Sequence, residues 1–132
     1  MWEAYDMENE DLLWAGVPFV GGIAGQQAGP CGAVSSATVF LGLKHRCSIA
    51  DEEACKKARG SARAEANELV KRFNDTFDAI ACDELVGVDF SNPDEAKRFW
   101  ESGGFEKKCD KYVAFVVEQL YDFQQRKMDQ PT

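Results

Sequence analysis

The apolar residues Ala62, Ala66, Leu69, Val70, Phe73 and Phe77 recur at helical period over about four turns. A strand would show alternation at every second residue, and no segment of the chain does. A long helix with one apolar stripe has to bury that stripe against other helices, so this pattern constrains the fold more than any other. The remaining signals are helical too. An acidic turn from Asp6 predicts a short helix to Val17, stopped near Pro18. Gly29-Pro30 opens a helix from Pro30 to about Lys44, because proline suits the first helical position. Val34, Ala37, Thr38 and Leu41 share one face of it. Ser48 is placed to cap a third helix with Asp51 at the third position, and Gly60 is placed to interrupt it. A short turn of helix covers Cys82 to Val86, closed by Gly87. Asn92-Pro93-Asp94-Glu95 combines a cap, a proline and an acidic third residue, and that helix ends at Ser102-Gly103-Gly104. The last helix runs from about Asp110 to Arg126, turning Val113, Val116, Val117, Leu120 and Tyr121 inward. The expected fold is all-α, a single-domain bundle of about five helices with short connections over residues 1–132.

A chain of 132 residues has room for one core, and with 45% hydrophobic residues it has the material to build it. The net charge of −8 argues against nucleic acid and against anionic membrane surfaces, both of which are held by clustered Lys and Arg. No apolar run approaches the roughly 20 residues that span a bilayer. The acidic start, Met1 to Asp6, lacks the layout of a signal peptide, so the expected location is the cytoplasm.

The chemistry-bearing residues are the five cysteines. An odd number leaves at least one thiol unpaired within the chain, and in a reducing compartment spaced cysteines are more often reactive or metal-binding than structural. None forms a Cys-x-x-Cys pair, which removes the thioredoxin motif, the zinc ribbon and covalent haem attachment. Three fall at predicted helix starts. Cys31 follows Gly29-Pro30, Cys82 heads Asp83-Glu84-Leu85, and Cys109 precedes Asp110-Lys111-Tyr112. Unpaired amides and the positive end of the helix dipole favour thiolate, the form that attacks disulfides and ligates metals. Lys107, Lys108 and Lys111 push the same way at Cys109, while Asp83 and Glu84 oppose it at Cys82. Cys31 and Cys109 therefore rank as the better nucleophiles. A buried cysteine can equally be a small apolar residue with no chemistry. Cys47 and Cys55 form no site by spacing alone and read as structural or incidental. His45, the sole histidine, reads as complementing the dipole of a last helical turn. The stretch Gly21 to Gly29 lacks the Gly-Lys-Ser/Thr ending of a phosphate loop and reads as close backbone packing beside Cys31.

Pro30-Cys31-Gly32-Ala33-Val34-Ser35-Ser36-Ala37, with Val39 to Lys44 behind it, resembles the C-GCAxxG-C-C family, a group held to be redox-active. The resemblance continues through Cys82-Asp83-Glu84-Leu85-Val86-Gly87-Val88-Asp89 and ends at Cys109-Asp110-Lys111-Tyr112-Val113, over roughly Met7 to Leu120. The family is marked by four cysteines, of which three match, at Cys31, Cys82 and Cys109. It implies a redox-active role for these thiols without specifying a reaction. Ser36 replaces the glycine that closes the family motif, a small-for-small change. No counterpart of the N-terminal helix carrying the family's first cysteine is found. Either the chain is a shortened member, or Cys47 or Cys55 makes up the number. A missing helix would bare apolar surface, so a homodimer is expected.

Three readings stay open. In the first, Cys31 attacks and Cys109 or Cys82 resolves a disulfide, as in a thiol-based oxidoreductase with a redox partner of its own. In the second, Cys31, Cys82 and Cys109 hold zinc or an iron–sulfur cluster, with His45, water or substrate at the remaining position. The third is a non-redox helical interaction module with inert cysteines.

Overall fold

The computed structural model describes residues 8–128, and the stripe from Ala62 lies on one unbroken helix. In chain order the elements are α1 (Asp11–Trp14), a 3-10 turn (Val17–Phe19), α2 (Gly32–Lys44), α3 (Glu52–Phe77), α4 (Cys82–Val86), α5 (Pro93–Glu101), a π-helical turn (Phe105–Cys109) and α6 (Asp110–Met128). The fold is all-α. Pro30 and Ala81 form an isolated antiparallel bridge.

The core is where α2, α3 and α6 meet. Leu41 of α2 and Leu69 and Phe73 of α3 are wholly buried, with Val34, Ala37 and Phe40 beside them and Tyr112, Val116, Leu120 and Phe123 of α6 closing the cluster. The rings of Phe73, Phe77, Tyr112 and Phe115 pack edge-on and tilted at centroid distances of 4.8–5.8 Å, an arrangement that suits aromatic quadrupoles. Outside the core, Arg72 ties α3 to α6 through Asp122 at 2.9 Å and through Gln119.

Several boundaries differ from the sequence reading, each for a local reason. The first helix is α1 alone within the predicted Asp6–Val17, whose first two residues lie outside the described ones, and Pro18 sits inside the following 3-10 turn. Helix α2 begins at Gly32, with Cys31 as its extended N-cap and Pro30 drawn into the bridge. Asp51, not Ser48, caps α3, its carboxylate accepting the Ala54 N–H at 2.9 Å. Glu52 and Glu53 follow it directly, where negative charge complements the helix dipole. Gly60 does not break α3, which runs for 26 residues among strong helix formers.

The short α4 ends at Gly87 in the left-handed conformation, and Asn92 caps α5 through the amides of Asp94 and Glu95, as the sequence indicates. On α6 the buried residue near the start is Tyr112, whereas Val113 and Tyr121 are each 44% exposed. Tyr112 can go in because its ring packs on Phe73 and Phe77 while its hydroxyl donates to the Leu85 carbonyl at 3.0 Å. Among the described residues no helix is long and apolar enough to cross a membrane.

An added Cβ at Gly60 would meet nothing within 4 Å. Gly60→Ala should therefore raise stability by about 0.5–1 kcal/mol through reduced freedom of the unfolded chain, read as a higher urea midpoint at constant slope.

Candidate functional site

The segment Gly21 to Gly29 turns back on itself through a run of left-handed residues that includes Gly21, Gly22, Gly25 and Gln27. Glycine is demanded where this loop touches the thiols. A Cβ on Gly22 would lie 2.8 Å from the Gln27 Cα and the Gly29 carbonyl oxygen, and 2.9 Å from the Cys82 Cβ. One on Gly32 would lie 2.8 Å from the Phe19 carbonyl oxygen. The glycines thus serve close packing beside Cys31 and Cys82.

Gln27 is the buried polar residue of this loop, and sequence reasoning missed it. Its side-chain amide donates to the Val88 carbonyl at 2.7 Å and accepts the Phe90 N–H at 2.6 Å, so it clamps the segment between α4 and α5 onto the glycine loop. The pair Gln26-Gln27 inside an otherwise small and apolar run was the available signal, and of the two only Gln27 is buried. Removing it would orphan two backbone groups, each worth about 1–3 kcal/mol when left unsatisfied in the interior.

The Pro30–Ala81 bridge brings two cysteines together across a long sequence separation. The Cys31 N–H donates to Ile80 at 2.7 Å, the Cys82 N–H to Gly29 at 3.0 Å, and the Asp83 N–H to Gln27 at 3.0 Å. In this register Cys31 and Cys82 are diagonal neighbours on one face of the bridge. Such pairs have Cα atoms about 7–8 Å apart. The other end of α4 is fastened from the far side of the site. Tyr112 donates to the Leu85 carbonyl at 3.0 Å, and Lys108 to that of Val86 at 2.5 Å. These bonds hold Cys109, the last residue of the π-helical turn, against the apolar cluster of Cys82, Val86 and Phe99.

All three cysteines line one cavity of about 740 Å³, the size of a small-ligand site. Its wall is formed by aliphatic side chains of the 3-10 turn, α2 and α6, and by Phe90, Phe99, Trp100 and Phe105. Three of those rings form a row, Phe90 and Trp100 stacking at 5.7 Å and Trp100 and Phe105 at 6.3 Å, and Phe99 packs tilted and edge-on against the first two. No charged side chain contributes to the wall among the described residues.

That wall overturns the expected activation of the thiols. Burial pushes the Cys31 thiol up; the amides of Ala33 and Val34 pull it down without closing a cap hydrogen bond, and burial prevails. Burial pushes Cys82 up to about 11, helped by the other two cysteines and by Asp83 and eased by Gln27. Cys109 is also raised, by burial first and then by Cys31 and Asp110, against the pull of Lys108 and Lys111. Moreover, Cys109 is not at a free helix start, because the π-helical turn runs straight into α6. Lys107 turns away to the Ser102 carbonyl. Desolvation of a sulfur anion in an apolar cavity outweighs nearby amide dipoles.

The remaining candidates lie elsewhere. Cys47 and Cys55 are beyond the C-terminal end of α2, whose 13 residues span about 20 Å from Cys31, and neither lines the cavity. They cannot supply a fourth cysteine to it. His45 is the C-terminal cap of α2 and pairs at 2.8 Å with Glu65, which also binds Lys44 at 2.9 Å. Burial works to raise Glu65, but hydrogen bonds from His45 and Lys44 outweigh it and hold the carboxyl below its ordinary range. Among the described residues no three His, Cys, Asp or Glu side chains are grouped so as to hold a metal ion.

The family model described as "Putative redox-active protein (C_GCAxxG_C_C)" matches residues 1–123. The chain belongs to this family. No curated protein and no solved structure matches it. Cys31, Cys82 and Cys109, the cysteines on which the sequence resemblance rests, all line the cavity.

A native thiol held protonated to about pH 11 has two measurable effects. Alkylation of Cys82 should be slow at pH 8 and rise to half-maximum near pH 11, and a midpoint below pH 9 would contradict the burial argument. Stability should fall over the same window. The unfolded chain releases this proton first, so the native state binds more protons as pH climbs from 9 toward 11.

Proposed function

We propose that the protein is a thiol–disulfide redox protein working through Cys31, with Cys82 as the favoured resolving thiol and Cys109 as the alternative. The observation that carries the reading is the convergence of Cys31, Cys82 and Cys109 on one uncharged cavity, in a chain whose family is described as redox-active. Cys31 is the best-placed attacker because it alone faces two helix amides and has no neighbouring carboxylate among the groups that raise it. The bridge register supports Cys82 as its partner. Diagonal neighbours stand at the edge of the about 7 Å Cα separation that a disulfide tolerates, so a small shift of α4 closes the gap.

The exchange balances without a cofactor. The Cys31 thiolate attacks one sulfur of a disulfide substrate and expels the other as a thiolate, which takes up the proton Cys31 gave up. Cys82 then loses its proton and attacks the Cys31 sulfur, releasing the second substrate thiol and leaving a Cys31–Cys82 disulfide. The substrate gains two electrons and two protons, and the protein loses them. Raised thiols make the first attack slow in the empty cavity, since only the thiolate reacts. An apolar wall selects a substrate whose disulfide sits on a hydrophobic body. Because all five cysteines are free, a reducing cytoplasm is the compartment this reading takes.

The same face supports self-association. Val17, Val20 and Trp100 line the cavity yet are 55%, 61% and 54% exposed, and Leu13 and Trp14 of the preceding α1 are exposed as well. Contiguous apolar exposure of this kind marks an interaction surface, and a second copy of the chain is its simplest occupant.

Two measurements test these statements. Titration with a small disulfide followed by peptide mapping should yield Cys31–Cys82 as the main product within the set Cys31, Cys82 and Cys109. Random pairing, or none, would remove the redox reading. Sedimentation should show a dimer that becomes monomeric on Val20→Asp; a monomer at high micromolar concentration would remove the association.

A further inference from the structure

A second pair of sulfurs stands at the opposite end of α2. The Cys47 and Cys55 Sγ atoms are 2.8 Å apart, in direct thiol–thiol hydrogen-bond contact. Their backbones are fixed from both sides. Cys47 follows the α2 cap at His45, which is itself held by Glu65, and Cys55 lies in the first turn of α3, where its N–H donates to the carbonyl of the Asp51 cap at 2.9 Å. The turn between them is closed by the Asp51 N–H bonding to Ser48 at 3.1 Å, and the Cys55 thiol also reaches the Ser48 carbonyl at 3.1 Å. Both sulfurs are partly exposed, so a soluble reagent can reach them. Arg59, one turn along α3, donates to the Cys55 carbonyl.

We propose that Cys47 and Cys55 are a modification site in their own right, forming a reversible intramolecular disulfide with low-molecular-weight disulfides independently of the cavity thiols. One of the two, as thiolate, attacks a small disulfide and expels one of its sulfurs as a thiolate. The second cysteine loses its proton and attacks the protein sulfur of the mixed disulfide, releasing the other small thiol. Two protein thiols become one disulfide, the small disulfide becomes two thiols, and a dithiol reductant reverses the exchange. The new bond staples the α2–α3 turn where the two helices leave each other. Near-contact of the sulfurs before reaction converts the second step into a short-range intramolecular attack.

The chain's own cleavage sites suit the test. Trypsin cuts after Arg46 and Lys56, so Cys47 and Cys55 leave on one peptide. The reduced full-length protein is incubated with oxidised glutathione, quenched with iodoacetamide and digested. The expected product is this peptide lighter by two hydrogen atoms, without glutathione or alkyl groups, forming about tenfold faster in the folded protein than in urea. In Cys47→Ser, Cys55 should stop at the glutathione mixed disulfide. A peptide alkylated at both cysteines, glutathione on each, or equal rates folded and unfolded would overturn the proposal. The simultaneous change Cys31→Ser, Cys82→Ser and Cys109→Ser should leave the peptide's oxidation unaltered; its loss in a folded triple variant would overturn the independence. The wild-type map decides the pairing whether or not that variant folds.

Discussion

Two backbone hydrogen bonds, Cys31 to Ile80 and Cys82 to Gly29, determine where these two sulfurs stand. They join segments about fifty residues apart where the other regular structure among the described residues is helical, and they rely on the close approach of the glycine loop to the start of α4. The contact at Gly22 shows how little freedom there is, since even one methyl group would collide with Cys82 and two backbone neighbours. Gln27 completes the arrangement by satisfying the backbone of the segment behind α4. The loop, the bridge and the clamp form one unit, and the cavity is the space they leave against α5 and α6.

That space is apolar, and this sets its chemistry. Helix amides and lysines lie close to the thiols, yet the wall removes the water that would stabilise a sulfur anion, and removal of water dominates. All three thiols are therefore pushed toward the protonated form.

Much of the framework was legible in the sequence because it is local. The cap at Asn92, the left-handed stop at Gly87 and the stripe down α3 each depend on residues within a turn or two of one another. Asp51 displaced Ser48 as a cap because both suit the position and the charges that follow decided between them. The inward face of α6 was misjudged at Tyr112, whose burial depends on partners in α3 and α4. That Cys31, Cys82 and Cys109 belong together was legible through the family pattern, whereas the helix-start reading fails at Cys109, which ends a π-helical turn continuous with α6. The direction of their acidity was not, since desolvation belongs to the assembled wall. The proximity of Cys47 and Cys55 was equally hidden, because it depends on how sharply the chain reverses between two helices.

Helix α2 carries sulfur at both ends, Cys31 at its cap and Cys47 past its last turn. Exchange between thiols and disulfides passes only through touching sulfur atoms, and a rod of about 20 Å keeps these apart. The helix is therefore an insulator as well as a core element. Under the two exchanges proposed above, electrons placed at one end reach the other only by way of a diffusing carrier, so the two ends record different histories of exposure.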